Sequence, residues 1–276
     1  MLEEPKPVIA AALFPEILAE LIALLKTLST NDWQKPTACA NWSVKDVALH
    51  LLGGEIGNLS RRRDGNIPSA SINDWNELVT FINEANQNWI SAANFISTRL
   101  IIDLLELVGS QMSDYFQELD PFSMGCAVSW AGPDPAPVWL DIAREYTERW
   151  HHQQHIRDAV GKPGLKQPKY FSPVLETFMQ ALPRTYREID LEDGTTVTVT
   201  VTGQSGGRWS IVRMAAAWQL YSGAPSEPTT EIIIDQETAW RLFTKGISQN
   251  QAQGQMTIRG DQGLGRKVFE MVSIIA

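Results

Sequence analysis

The chain has 276 residues, of which 43% are hydrophobic, and it carries a formal net charge of −9 with a pI near 5.0. This is enough apolar sequence for one large or two ordinary domains. The acidic balance argues against nucleic acid or a membrane surface as the main partner, because both attract clustered Lys and Arg. Two cysteines are too few for a disulfide framework and suit a reducing cytoplasm. We therefore expect a cytoplasmic protein whose main partner is neither nucleic acid nor a membrane, with its oligomeric state left open.

The first helical pattern covers residues 8–28, where Glu16, Glu20 and Lys26 recur at helical spacing among apolar residues. No basic leader precedes it, and prolines interrupt the apolar character of the N-terminus. The pattern predicts an amphipathic helix of a bundle rather than a signal peptide or a membrane span.

The second helix has clear start signals in the segment NWSVKDVALHLLGG. Ser43 is a good N-cap, and Asp46 follows at the third helical position. His50 falls at the edge of the apolar face formed by Val44, Val47, Ala48, Leu51 and Leu52. Because glycine is costly inside a helix, Gly53, Gly54 and Gly57 suggest a close approach or open space beside His50.

Residues 74–117 predict one long or two shorter helices, with a break near 92–97. A connection rich in proline and glycine follows and leads to a further helix that starts near Pro137. Four principal helices therefore precede Gly161 without a convincing strand, which implies an antiparallel bundle.

Three of the four histidines lie in EYTERWHHQQHIRDAVG, residues 145–161. Glu148 with His152, and His151 with His155, each have the i, i+4 spacing that lets two helical turns hold one ion. At about 100° per residue, Glu148 and His152 flank the apolar stripe and His151 points furthest from it. The geometry favours the first pair, and both pairs stay open. Arg144, Arg149 and Arg157 are expected on a solvated face.

The composition changes after Gly161, where a proline-rich linker and a short helix near 173–186 are predicted. The hydrophobic period then becomes two. This predicts strands at 195–203, 207–215, 216–223, 229–236 and 255–261, a helix at 237–245 and a closing helix near 262–274. The chain thus divides into a helical domain, 1–165, and a smaller α+β domain, 170–276.

The phrase TACANWSVKDVALHLLGGE and the histidine segment together resemble the mycothiol-dependent maleylpyruvate isomerase family, within the DinB/YfiT-like metal-binding bundles. The resemblance implies a DinB-like antiparallel four-helix bundle followed by a sterol-carrier-like α+β domain. It implies a divalent metal, zinc first and nickel as the alternative, held by His50, Glu148 and His152. YfiT-like relatives use a His-x-x-x-His pair, which would be His151 and His155. A catalytic arginine is carried over to Arg259, with Arg213 as second option.

Two functional hypotheses follow. Three protein ligands leave a coordination position open, so the metal could activate a bound thiol or water as nucleophile. The first hypothesis is an isomerase or transferase of this kind, which uses mycothiol, glutathione or a similar low-molecular-weight thiol on a small electrophile. The second is a non-catalytic metal-containing protein that binds a small-molecule or lipid-like ligand.

Overall fold

The structure is a computed structural model that describes residues 1–67, 74–132, 134–215 and 217–274. The chain forms two compact units. The helical unit comprises residues 9–123 and 142–165, and the sheet unit comprises residues 1–8, 124–141 and the described part of 166–275. The predicted boundary near residue 165 coincides with a change of unit. The N-terminal residues and the segment 124–141, however, belong with the C-terminal half.

Five α-helices supply the described part of the helical unit. They are α1 (Phe14–Lys26), α2 (Val44–Asn58), α3 (Trp75–Ala93), α4 (Thr98–Glu118) and, from Ile142 onward, α5 (Val138–Val160). The predicted break between 92 and 97 is confirmed, because α3 ends and α4 begins there. A π-helical turn, Leu59–Arg63, extends α2.

The core of the helical unit lies where α1, α2 and α4 pack, with Ile156 of α5 among them. All five residues predicted for the apolar face of α2 are at most 4% exposed. The start of α2 is the predicted one. Ser43 and Asp46 form a capping box, in which the Asp46 carboxylate accepts from the Ser43 amide at 2.9 Å. This box fixes the first turn of α2, and His50 follows less than two turns later.

The sheet unit contains a six-stranded sheet in the order β1-β6-β5-β4-β7-β8. The strands are β1 (Leu2–Glu3), β4 (Thr196–Thr202), β5 (Gly207–Met214), β6 (Ala217–Gly223), β7 (Thr230–Asp235) and β8 (Met256–Gly260), while β2 (Met124–Ala127) and β3 (Pro135–Pro137) form a separate hairpin. The β4–β7 pair is parallel and the other pairs of the large sheet are antiparallel.

The remaining helices of the sheet unit are α6 (Pro168–Met179), α7 (Leu182–Tyr186), α8 (Gln236–Phe243), α9 (Gln249–Gln253) and α10 (Gln262–Arg266). The five strands predicted in this half are all present, each within two residues of its predicted ends. Ala216, the predicted first residue of the third strand, lies outside the described residues. The closing helix is shorter than predicted, because α10 gives way to a 3-10 turn at Lys267–Glu270.

The expectation that no strand precedes Gly161 is wrong. β1 has two residues, too few to show a period of two. β3 is Pro-Ala-Pro, and proline argues against a strand because it cannot donate to a ladder. The architecture is therefore mixed helix and sheet. Across the described ranges, no helix combines the length and the apolar character that crossing a membrane requires.

Candidate metal centre

His50 on α2 and the pair Glu148 and His152 on α5 come together within the helical unit. Nε2 of His50 lies 2.8 Å from Oε1 of Glu148, and Nε2 of His152 lies 3.2 Å from the same oxygen. The two imidazole rings are 4.5 Å apart between centroids. One donor atom from each residue falls within 4.8 Å of the other two. Residues separated by 98 positions in the chain thus converge on one point.

One ion pair and one hydrogen bond between α2 and α5 flank this cluster. The Arg149 guanidinium donates two hydrogen bonds to the Glu55 carboxylate, at 2.7 and 2.8 Å, and one to Glu145 at 2.7 Å. Asn58 of α2 donates to the same Glu145 oxygen, at 2.9 Å. Glu55, Glu145 and Arg149 are all at most 9% exposed. The two helices that carry the cluster are therefore joined by buried charged hydrogen bonds.

The electrostatics favour a charged Glu148 beside neutral rings at His151 and His152. Loss of hydration alone would raise the pKa of Glu148, but His152 and His50 hold it well below its ordinary value. Burial lowers the pKa of His152, against the pull of Glu148. Burial also lowers the pKa of His151 to about 3. Neutral imidazole has a lone pair to offer, whereas imidazolium has none.

The donor set suits a divalent cation. With zinc bonds of about 2.0–2.2 Å to nitrogen and oxygen, tetrahedral ligand atoms lie about 3.3 Å apart. The observed separations from Glu148 Oε1, 2.8 and 3.2 Å, approach that value. Two imidazoles and one carboxylate form a mixed set that zinc, nickel, iron and manganese accept. The ring of Trp42 also lies beside the cluster, with its centroid 5.0 Å from that of the His50 ring.

The two side chains of the alternative pair, His151 and His155, each face a different partner. Nδ1 of His151 donates to the Thr147 carbonyl at 2.8 Å, and its Nε2 lies 3.9 Å from Oε2 of Glu148. Nδ1 of His155 lies 3.0 Å from Sγ of Cys39. Among the described residues, neither of the two three-donor clusters contains His151.

The expected one-sided burial of α5 is wrong. His151, predicted to point furthest from the core, is 2% exposed, and Arg149 and Arg157 are 9% and 6% exposed rather than on a solvated face. Helix α5 is enclosed because it contacts both α1 and α2. For example, Gln153 donates to the Ile17 carbonyl at 3.0 Å. Polar residues on all its faces hide this burial from a periodicity argument.

A family comparison covers the part of the chain that carries this cluster. The family model described as the mycothiol maleylpyruvate isomerase N-terminal domain matches residues 14–157, slightly more than half of the chain. The chain belongs to this family. The match confirms the family predicted from the two helical motifs, and it supports the expectation of a maleylpyruvate-isomerase-like enzyme. It covers α1 through most of α5, and hence His50, Glu148 and His152.

Solved structures extend the likeness to the overall fold of the family. A crystal structure of the mycothiol-dependent maleylpyruvate isomerase has 10% identity and a TM-score of 0.52, with 84% of this chain and 86% of that chain covered. A histidine-to-alanine mutant of that name has 9% identity and a TM-score of 0.54, with 90% of each chain covered. At this identity the likeness concerns fold alone. Among curated proteins, the comparison finds no match.

The two arginines carried over from the family differ in their surroundings. Arg259 lies on β8 with its side chain 68% exposed, and Nη1 is 3.5 Å from Oε2 of Glu231. Arg213 on β5 has a side chain only 8% exposed and pairs with Asp190 at 2.7 Å. The Arg259 guanidinium is therefore accessible to a ligand, whereas Arg213 is held in the sheet unit.

Cys39 lies beside two histidines of α5, which the sequence does not predict. Sγ of Cys39 faces Nδ1 of both His155 and His152, at 3.0 and 3.7 Å. Burial raises the pKa of this thiol to about 11. No local signal in the sequence links a loop cysteine to histidines more than a hundred positions away. The close approach predicted at the glycines of α2 is confirmed at Gly53. Gly53 has no side chain because the Trp89 indole occupies that space, donating to the Leu49 carbonyl at 2.7 Å.

Proposed function

We propose that the chain is a divalent-metal-dependent isomerase that uses a low-molecular-weight thiol, mycothiol or an equivalent such as glutathione. Its substrate would be a small electrophile with a cis double bond, of the maleylpyruvate type. The observation that carries the proposal is the convergence of His50, Glu148 and His152 within 4.8 Å in a chain of this family.

The chemistry asks for few protein groups. A divalent cation held by these three residues would supply the charge that keeps a bound thiol ionised at neutral pH. Glu148 contributes the one formal negative charge of the ligand set, and the low pKa of His152 keeps that ring neutral. Attack of the thiolate on the electrophilic carbon would move the electrons of the double bond onto the conjugated carbonyl oxygen, which leaves a single bond between the two carbons. Rotation about that bond, followed by return of the electrons and expulsion of the thiolate, would give the trans isomer.

We further infer that α1, α2, α4 and α5 correspond to the four helices of a DinB-like bundle, with α3 as an addition. The packing of α4 on α1 and α2 supports this correspondence, as do the hydrogen bonds of α5 to both α1 and α2. The sterol-carrier-like nature of the sheet unit stays a prediction. Arg259 is proposed to bind a substrate carboxylate, because its guanidinium is accessible and can bind one bidentately.

Elemental analysis tests the metal centre. Wild-type protein is compared with Glu148→Ala/His152→Ala and with His151→Ala/His155→Ala, after far-UV circular dichroism has shown that each is folded. We expect the first double variant to lose the metal and the second to retain it. If only the second loses the metal, the ligand assignment is wrong.

Turnover tests the activity. Wild type, His50→Ala and Arg259→Lys are assayed on maleylpyruvate with mycothiol and with glutathione. We expect thiol-dependent isomerisation in wild type, loss of at least about 100-fold in His50→Ala and a raised KM with an unchanged metal content in Arg259→Lys. A metal-loaded wild type that is inert with every thiol would favour the non-catalytic binding protein. Release of a leaving group instead of the trans isomer would indicate a transferase.

A further inference from the structure

Cys39 and two histidines of α5 form a second cluster of metal-binding side chains. Sγ of Cys39 lies 3.0 Å from Nδ1 of His155 and 3.7 Å from Nδ1 of His152, and the three atoms fall within 4.8 Å of one another. His155 is 5% exposed and His152 is 8% exposed. The cluster therefore presents one half-buried sulfur and two buried imidazoles.

The loop that carries Cys39 is closed by its own hydrogen bonds. The amide and the hydroxyl of Thr37 both donate to the Trp42 carbonyl, at 3.0 and 2.9 Å. The Trp42 amide donates to the Cys39 carbonyl at 3.0 Å, and the Cys39 amide donates to the Thr37 hydroxyl at 3.2 Å. A bridge between Pro36 and Ser43 closes the ends. The backbone thus fixes where the thiol is presented, which lowers the entropy cost of binding an ion there.

We propose that Cys39, His152 and His155 form a second cation site, which takes a soft, thiophilic ion such as Cu⁺ or Cd²⁺. Thiolate with imidazole is the donor set that such ions prefer. With zinc-like bonds of about 2.3 Å to sulfur and 2.0 Å to nitrogen, sulfur and nitrogen ligands lie about 3.5 Å apart. The two observed separations bracket this value. On binding, the Cys39 thiol loses its proton to solvent and the sulfur forms the bond to the cation.

His152 belongs to both clusters through its two different nitrogens. Its Nε2 faces Glu148 at 3.2 Å, and its Nδ1 faces Cys39 at 3.7 Å. A neutral imidazole has one lone pair and one N–H, so it can ligate on one side only. With a cation on the Glu148 side, Nδ1–H points to the Cys39 sulfur. With a cation on the Cys39 side, Nε2–H donates to the Glu148 carboxylate. The two sites therefore exclude each other, and a soft ion would displace the metal of the proposed function.

Titration with Cd²⁺ tests the site, because cadmium bound to thiolate gives a charge-transfer band in the ultraviolet. Wild type and Cys126→Ser, which removes the other, exposed cysteine, are expected to show the band at one Cd²⁺ per chain. Cys39→Ser is expected to lose it and to bind Cd²⁺ at least about tenfold more weakly. Absence of the band in wild type, its loss in Cys126→Ser, or its survival in a folded Cys39→Ser would overturn the proposal.

Two further measurements separate this site from the metal centre of the proposed function. Glu148→Gln should keep the cadmium–thiolate band, since Glu148 is not a ligand of the soft ion. Loss of the band in Glu148→Gln would mean that Cys39 and Glu148 belong to one and the same site, which would overturn the proposal. The mutual exclusion of the two cation sites rests on the metal centre of the proposed function, whereas the cadmium–thiolate band does not. Protein preloaded with Zn²⁺ should release it as the band grows. Full band intensity with the zinc retained would show that both sites can be filled at once and would contradict the exclusion. The cadmium–thiolate band is expected even if the protein has no isomerase activity.

Discussion

Glu148 is the residue on which the candidate centre converges, because the imidazoles of His50 and His152 both approach its Oε1. Each of the two ring nitrogens can donate a hydrogen bond to the carboxylate or offer its lone pair to a cation, but not both. Replacing the carboxylate by an amide of the same shape removes the negative charge and retains the packing. The substitution therefore isolates the contribution of that charge.

We predict that Glu148→Gln weakens the stabilisation of the protein by Mn²⁺, an ion chosen because it prefers oxygen and nitrogen to sulfur. Excess ion at about 100 times Kd stabilises a protein by about 2.7 kcal/mol, and tenfold weaker binding removes about 1.4 kcal/mol of this. Thermal unfolding with and without Mn²⁺ measures the difference. The control Glu188→Gln, at an exposed residue, should show the same Mn²⁺-dependent shift of the unfolding temperature as wild type. An equal shift in Glu148→Gln would exclude Glu148 as a ligand.

At this scale the sequence predicts what lies on one helix better than what meets across the fold. The i, i+4 spacing predicts two pairs, Glu148 with His152 and His151 with His155, and the helical-face geometry favours the first. The family resemblance adds His50. The contact of Cys39 with His155 depends on a loop and a helix 116 positions apart, which no local pattern encodes. His151 was predicted to point furthest from the core and is buried instead, because a polar residue on a helix need not face solvent.

Helices α2 and α5 are fixed to each other by the buried group of Glu55, Arg149 and Glu145. This group lies within about two turns of His50 on α2 and within one turn of Glu148 on α5. A change of register between the two helices would break the buried Glu55–Arg149 pair and the hydrogen bond from Asn58 to Glu145. The same contacts therefore hold the helices together and keep the metal-binding side chains opposite one another.

We predict that Arg149→Met destabilises the protein by about 3–5 kcal/mol, because it leaves two buried carboxylates without their shared cation. Urea unfolding at neutral pH measures this loss. Arg187→Met is the matched control, since the Arg187 and Glu188 side chains are 54% and 73% exposed, and it should cost less than about 1 kcal/mol. A similar small effect at Arg149 would mean that the buried network does not hold α2 and α5 together.

The same network predicts a pH dependence. Burial alone would raise the pKa of Glu145, but Arg144, Arg149 and Arg62 outweigh it and lower the pKa to about 2 from the ordinary 4.5. As the pH falls below 4.5, the unfolded chain takes up the proton first, so this stabilisation is present above 4.5 and is lost as the pH falls toward 2. The loss amounts to at most about 3 kcal/mol.

Urea unfolding of wild type and Glu145→Gln at a series of pH values between 7 and 2.5 checks this linkage. We expect the free energy of unfolding to fall less steeply with decreasing pH in the variant than in wild type. The slopes are compared rather than the absolute values, because the variant also loses an ion pair with Arg149. Parallel curves for the two proteins would contradict the prediction.

Regular elements were the most predictable part of the chain. Period-two runs such as Thr196–Thr202 identified their strands, and the capping residues of α2 identified its start. Among the elements that escaped prediction, β1 and the β2–β3 hairpin are too short or too rich in proline to carry a period. They are specified by their partners: β1 exists as a strand because β6 offers it an edge.

On the scale of the whole chain, the two compact units are interleaved in sequence. The chain changes unit near residues 8, 123, 141 and 165. The predicted division into 1–165 and 170–276 treats the two domains as continuous, which local composition favours. It misses the return of residues 1–8 and 124–141 to the sheet unit, because that return depends on pairing between distant segments.

This interleaving predicts that a fragment of residues 166–276 is less stable than the sheet unit within the full chain. The fragment lacks β1, whose residues pair with Ser222 and Gly223, and it lacks the Met1 amine that donates to the Ala224 carbonyl at 3.1 Å. The edge of β6 is then open to pairing with another copy.

We expect the fragment to have a lower urea midpoint by tryptophan fluorescence and to associate in a concentration-dependent way by size-exclusion chromatography. The full chain without residues 1–3 is the control for the edge alone, and it should show the association without the full loss of stability. A monomeric fragment with the midpoint of the full chain would mean that residues 166–276 fold independently of the other two segments.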